Sequence, residues 1–262
     1  MAVTASVLGL AGVDKELAPA LPPGWIGLVL GQSGSGMALL AKQFAQSGSR
    51  PNTILYYTTY ERTEDARKAF ADFGWSFEGI HIVNLSDEFY ERVLRRDLEV
   101  SRLRERGLSF KDLTDTSVAP ARRRTYNLTN RVLSDLAALD APFRLVLDSV
   151  DFFLEVLDPG EVLTMIRQVR HRVQSLGGEA LFLLQSDVHD RRTTGLVEDL
   201  ADLVVELRTD SRREPVEHLF TVRKVRNHPE KVVVGQIRVT PSGLAIVPKG
   251  TPNGAASDVP PR

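Results

Sequence analysis

"LVLGQSGSGMALLAKQF", residues 28–44, carries a short apolar strand, Leu28-Val29-Leu30, into a glycine-rich turn and then into a helical pattern. The turn fits the phosphate-loop pattern G-x-x-x-x-G-K-[ST] from Gly31 through Gln32, Ser33, Gly34 and Ser35 to Gly36. It then departs from that pattern, because Met37 stands at the Lys position and Ala38 at the Ser/Thr position. A strand, a glycine turn and a helix N-terminus make an anion site, since backbone N–H groups converge there and the helix dipole adds partial positive charge. Glycines also simply permit a tight turn. The stretch by itself leaves both readings open.

Further strand-like runs recur along the chain at Thr53–Thr59, Ile80–Leu85, Arg144–Leu147, Glu179–Leu184, Leu203–Leu207, Leu219–Val225, Val232–Val239 and Leu244–Val247, with Ile26–Leu30 the first. Several are continuous rather than alternating, as strands buried on both faces are. Helical patterns lie between the early ones, at Ala38–Gln46, Thr63–Phe73, Leu128–Leu139 and Gly160–Ser175. The last carries Val162, Ile166, Val169 and Val173 on one stripe. Thr63, ahead of Glu64 and Asp65, reads as an N-cap with an acidic first turn. Strands alternating with helices predict an α/β fold with a mainly parallel central sheet flanked by helices. The last strands lack intervening helices and predict antiparallel C-terminal strands, with "TPSG" at 240–243 as a hairpin turn. Residues up to about Pro23 read as an irregular lead-in.

The remaining features bound the chemistry. The chain has 262 residues, 42% apolar and 26% charged, with a formal net charge of −1, which excludes a wholly basic nucleic-acid coat. With no cysteine, thiolate catalysis, disulfides and Cys-based zinc sites are excluded. The histidines His81, His171, His189, His218 and His228 show no ligand spacing, so no metal site is expected from them. The apolar runs are far shorter than the ~20 residues of a membrane span. The N-terminus lacks the basic stretch of an export signal, and a cytoplasmic protein without membrane partners is expected. A single domain over 1–248 is expected, followed by a disordered Pro/Gly/Ala-rich tail over 249–262. Residues 88–125 interrupt the α/β rhythm; between Glu91 and Arg124 stand ten Lys/Arg and six Asp/Glu. Arg122, Arg123 and Arg124 beside Tyr126 are a nucleic-acid candidate, since basic clusters with an aromatic suit single strands, although a solvated charged helix reads the same way.

"RLVLDSVDFFLE" at 144–155 is an apolar strand ending in Asp148, the form of a strand whose carboxylate polarises a magnesium ion through water in nucleoside-triphosphate hydrolases. Five stretches in order then resemble the KaiC-like branch of the RecA superfamily: "LPPGWIGLVLGQSGSG", "ILYYTTYERTEDARKAFADFGW", the Asp148 strand, "LVEDLADLVVELR" at 196–208 and "KVRNHPEKVVVGQIRVTPSGLAIVP" at 224–248. The resemblance implies a RecA-like sheet, ATP binding over residues 31–38, and ring or filament assembly. It assigns Glu61 and Asp148 to the catalytic carboxylates, with Gln185 or Ser186 at the end of the fifth strand. Lys224-x-Arg226 matches the pair that in KaiC reaches the ATP of the neighbouring subunit; the same spacing also describes two exposed basic residues on one strand face.

The chain departs from the family where chemistry is performed. Met37 offers no charge to the phosphates, and Ala38 no oxygen to a metal. Tyr60-Glu61 stands where the family carries two adjacent Glu. The expected function is therefore a pseudo-ATPase, a regulatory or scaffolding subunit that self-associates or pairs with an active KaiC-like relative. ATP or ADP would bind weakly if at all, and magnesium binding is not expected. The alternatives are an unconventional ATPase, in which Lys42 replaces the missing Lys, and a nucleic-acid-binding recombination accessory protein. Lys42 lies five residues past Met37, more than one helical turn, and is expected to point away from the phosphates. An archaeal source suits the resemblance.

Overall fold

The strand that leads into the glycine turn, β1 (Ile26–Gly31), is buried at all six positions, as its uninterrupted apolar run predicts. Its side chains still alternate. Ile26, Leu28 and Leu30 enter one hydrophobic cluster, and Val29 enters the cluster on the opposite face of the sheet. The structure, a computed structural model, describes residues 7–48, 51, 53–105, 128–212 and 216–248. Within them β1 sits inside a nine-stranded sheet with β2 (Thr53–Thr58), β3 (Ile80–Asn84), β4 (Phe143–Asp148), β5 (Glu179–Gln185), β6 (Leu203–Asp210), β7 (Glu217–Val225), β8 (Val234–Thr240) and β9 (Gly243–Pro248). The order is β3-β2-β4-β5-β1-β6-β7-β8-β9. Pairings from β3 across to β6 are parallel, and those from β6 to β9 are antiparallel. Thr240 pairs with Gly243 across a two-residue turn at Pro241-Ser242, within the expected "TPSG" hairpin.

Helices cover both faces. One face packs α1 (Ala11–Leu17), α2 (Met37–Gln46) and α3 (Thr63–Asp72) through Val13, Leu17, Leu40, Phe44 and Phe70. The other face packs the start of α4 (Leu85–Glu105) with α5 (Leu128–Ala137), α6 (Val150–Val156), α7 (Pro159–Leu176) and α8 (Arg191–Leu200). The predicted stripe Val162, Ile166, Val169 and Val173 on α7 is fully buried.

Several expectations need correction. The lead-in before Pro23 is not all irregular. Asp14 is buried and accepts from the backbone N–H of Leu8 (2.8 Å) and Gly9 (3.0 Å), fixing the approach to α1. Thr63 is the first residue of α3 rather than its cap; Arg62 precedes the helix and pairs with Asp65. The helices α6 and α8 are absent from the periodicity reading. Seven-residue α6 continues the apolar run of β4, and α8 contains Thr193, Thr194 and Gly195, poor helix formers that rely on Asp190 accepting from the N–H of Arg192 and Thr193. Residues 88–105 of the charged interruption are helical, as part of α4. Its remainder, with Arg122, Arg123 and Arg124, and the tail 249–262 lie outside the described residues.

Two side chains set the position of α2 against the sheet. Arg144 of β4, 2% exposed, donates through Nη1 to the carbonyls of Phe44 (2.9 Å) and Ser47 (2.6 Å), and through Nη2 to Glu179 (2.7 Å). A guanidinium at this helix C-terminus satisfies orphan carbonyls and opposes the dipole. Buried Gln43 exchanges hydrogen bonds with Leu244 of β9 and donates to the Gly9 carbonyl. The Phe73-Gly74-Trp75 ending of α3 is equally structural. Gly74 takes φ +67° after the helix, Trp75 stacks on Phe73 at 4.8 Å, and its indole N–H reaches the Ser242 carbonyl.

Candidate functional site

A cleft of about 320 Å³ opens at the C-terminal ends of the parallel strands, lined among others by Gln32, Ser33, Met37, Tyr60, Asp148 and Gln185. Open α/β sheets bind ligands at this end, where the order of strands reverses direction. The glycine turn forms its floor. Gly34 and Gly36 adopt φ +78° and +97°, left-handed conformations that other residues rarely take. Gly36 precedes α2 without a side-chain cap, so the first-turn N–H groups of Met37 and Ala38 keep the orphan character of a helix N-terminus. The buried hydroxyl of Ser35 has no hydrogen-bond partner. The glycine turn thus leads into the helix N-terminus, with Met37 and Ala38 as the first helical residues. Met37 is folded back on Gly31, where an added Cβ would meet its Cγ and Sδ at 2.9 Å.

The structure brings Glu61 and Asp148 close together, with Lys42 beside them. Lys42 of α2, expected to point away from the phosphates, turns towards Glu61. Its Nζ lies 2.6 Å from Glu61 Oε2 and 5.7 Å from the centre of the Tyr56 ring. Five helical residues turn a side chain by more than one revolution, but α2 lies directly on the sheet, and the long lysine stem runs down to the ends of β2 and β4. Tyr56 is wholly buried and donates its hydroxyl to Asp148 Oδ2 at 3.0 Å. Burial raises the pKa of Asp148, with Lys42 and the Tyr56 hydroxyl acting in opposition. Burial and the neighbouring Asp148 and Glu61 charges hold the Tyr56 phenol well above its ordinary value.

The backbone around these carboxylates is pinned. Thr59 N–H donates to the Asp148 carbonyl (2.7 Å), Ser149 N–H to Thr59 Oγ1 (3.0 Å), and the Asn84 amide to the Glu61 carbonyl (3.1 Å). The Asp148–Ser149 peptide bond is cis. Asp151 of α6 is buried, accepts the Gln185 N–H and pairs with His189 at 2.8 Å. Tyr60, next to Glu61, is 62% exposed at the rim. Partial burial and the Asp151 charge raise its phenol pKa. Ser186 donates its N–H to the Gly31 carbonyl, tying β5 to the start of the turn, and lines a second, polar cleft of about 520 Å³ that shares Gln32.

The profile of the KaiC ATPase family matches residues 7–251 of this chain. The chain belongs to the KaiC family. A relative, the UPF0273 protein SSO1861 of Saccharolobus solfataricus, is 23% identical over 245 residues, covering 90% of this chain and 80% of that protein. The crystal structure of the KaiC-like protein PH0186 from the hyperthermophilic archaeon Pyrococcus horikoshii OT3 superposes with a TM-score of 0.60 at 20% identity, over 94% of this chain and 100% of that one. That likeness establishes the KaiC-like fold.

Measured against a KaiC-type site, a magnesium ion does not fit the donors present. Ala38 supplies no oxygen, Glu61 accepts from Lys42, and Asp148 accepts from Tyr56. Among the described residues no group of three His, Asp or Glu side chains is arranged to hold a metal ion. Lys224 and Arg226 are also not two free cations on a strand face. Lys224 Nζ donates to the carbonyls of Glu198 (2.8 Å) and Asp199 (3.3 Å) at the end of α8. Arg226 donates to the Asp199 and Ala201 carbonyls and, at 2.5 Å, to buried Asp202. Among the described residues no helix is long and apolar enough to cross a membrane.

The sequence reading named Lys42 but not its pairing with Glu61, and it missed Tyr56 and Asp151. A signal existed for the first, since a lysine between Ala41 and Gln43 on an otherwise buried helix face needs a partner. No local signal marks Tyr56, whose partner is 92 residues away.

Proposed function

We propose that this chain is a pseudo-ATPase of the KaiC family, a subunit that keeps the glycine cradle without the groups that turn ATP over, and that works as a regulatory or scaffolding partner. One observation carries the reading: the cation nearest the catalytic carboxylates, Lys42, is buried in an ion pair with Glu61. Glu61 is thereby held away from activating water, while Met37 leaves the phosphate positions without side-chain charge. Removing a donor that stabilises transition-state charge costs about 2.7–4 kcal/mol, and here the phosphate cation, the metal ligand and one carboxylate are all replaced. Assembly, with itself or with an active KaiC-like relative, supplies the function that chemistry does not.

The test is steady-state ATP hydrolysis by the full chain beside an Asp148→Ala variant, with light scattering to measure assembly. Equal background rates and a defined oligomer or mixed complex are expected. A steady rate that Asp148→Ala abolishes would show a working ATPase.

A further inference from the structure

Three carboxylates at the C-terminal end of the central strands, Asp151, Asp148 and Glu61, are answered from within the chain. Asp151 accepts the Gln185 N–H and pairs with His189. Asp148 accepts the Tyr56 hydroxyl. Glu61 accepts from Lys42, whose side chain is 4% exposed. The ammonium cannot be an incidental surface charge. It is a desolvated cation held over an aromatic ring and against a carboxylate, and burying a lone charge is costly unless it is paired. Its helix is fixed at its far end by Arg144 and on its flank by Gln43, so the stem has little freedom to withdraw.

Resting on the pseudo-ATPase reading, we propose that Lys42 is a built-in cation that takes the electrostatic place of a divalent metal at the Glu61 and Asp148 carboxylates and makes the site indifferent to metal. A divalent ion needs ionised, unpaired oxygen donors at short range. Here a fixed positive charge already lies among them, and bringing a second would set like charges together in a poorly solvated place. Any phosphate-bearing ligand that seats on the N–H groups of the glycine turn is then bound equally well with and without magnesium.

The experiment titrates manganese(II) into the full chain and follows the free ion by electron paramagnetic resonance. The wild type and Lys42→Arg should leave the free-ion signal unchanged. Lys42→Gln should take up the ion, tightening affinity by about tenfold or more, the equivalent of roughly 1.4 kcal/mol. Lys42→Met serves as a second neutral variant if Lys42→Gln does not fold, with circular dichroism confirming the fold of whichever is used. If neither folds, the wild-type titration decides alone. In parallel, the thermal shift of the wild type with ADP should be present and the same in magnesium and in EDTA; no shift in either condition would overturn the claim that a phosphate ligand seats on the glycine turn. Stoichiometric manganese uptake by the wild type, a shift that appears only with magnesium, or no uptake by a folded neutral variant overturns the inference. ATP turnover by a manganese-silent wild type would instead overturn the pseudo-ATPase reading and leave Lys42 as the replacement cation.

Discussion

Lys42 Nζ sits 2.6 Å from Glu61 Oε2, with the lysine side chain 4% exposed and the glutamate side chain 28% exposed. The asymmetry of burial matters more than the distance. If Lys42 is removed, the carboxylate left behind still reaches water. If Glu61 is removed, the ammonium left behind does not.

Glu61→Ala should therefore destabilise the chain more than Lys42→Met. Breaking one side of a fully buried pair costs roughly 3–5 kcal/mol; the exposure of Glu61 lowers the figure for the lysine variant. Urea denaturation of both variants checks the order. The reverse order would mean that the nearby Asp148 already compensates Lys42.

Asp148→Asn should become progressively favourable as pH rises. The folded-state pKa of Asp148 is raised, so in the window above the ordinary carboxylate pKa the folded chain binds more protons than the unfolded one. Its stability then falls as pH climbs through that window. Asparagine keeps an oxygen for the Tyr56 hydroxyl and carries no charge to bury. The stability difference between variant and wild type should grow from acid towards neutral pH in denaturation series, and a pH-independent difference would contradict the assignment.

Lys224→Ala and Arg226→Ala should not be silent. Both side chains close the C-terminal end of α8, and Arg226 also neutralises Asp202, which is 2% exposed and additionally holds Arg170 and the Ile26 N–H. Hydrogen bonds to charged groups contribute about 1.5–3 kcal/mol. Arg226→Ala should be the more costly, with faster amide exchange at the end of α8. Exchange rates equal to wild type would return the pair to the role of free cations.

Restoring Met37→Lys together with Ala38→Thr should strengthen ATP binding by roughly ten- to a hundredfold, since a charge-assisted contact is worth about 1.5–3 kcal/mol. Calorimetry measures the gain. Hydrolysis should stay near background, because Tyr60 still lacks a carboxylate and Glu61 remains paired with Lys42. No gain in binding would mean that the glycine turn does not present its N–H groups to a phosphate.

Much of the architecture was written locally. The continuous runs at 144–147 and 179–184 announced doubly buried strands, and the stripe on α7 announced its buried face, because periodicity of side-chain direction is a property of neighbouring residues. The glycine turn leading into α2 was equally legible, since its residues are contiguous. Helices α6 and α8 were not. Their formation rests on packing against the sheet and on a single cap at Asp190 rather than on propensity.

The partners of the site's charged groups belong to the fold alone. Residues 42 and 61 lie on different segments of the chain, as do 56 and 148, and 226 and 202, and no spacing rule connects them. The sequence by itself determined that Met37 and Ala38 follow the glycine turn and that Tyr60 precedes Glu61. Only the tertiary structure decided what the remaining charges do. A buried charge takes whichever opposite group the packing brings within reach, and packing placed an ammonium, a phenol and a histidine against the three carboxylates.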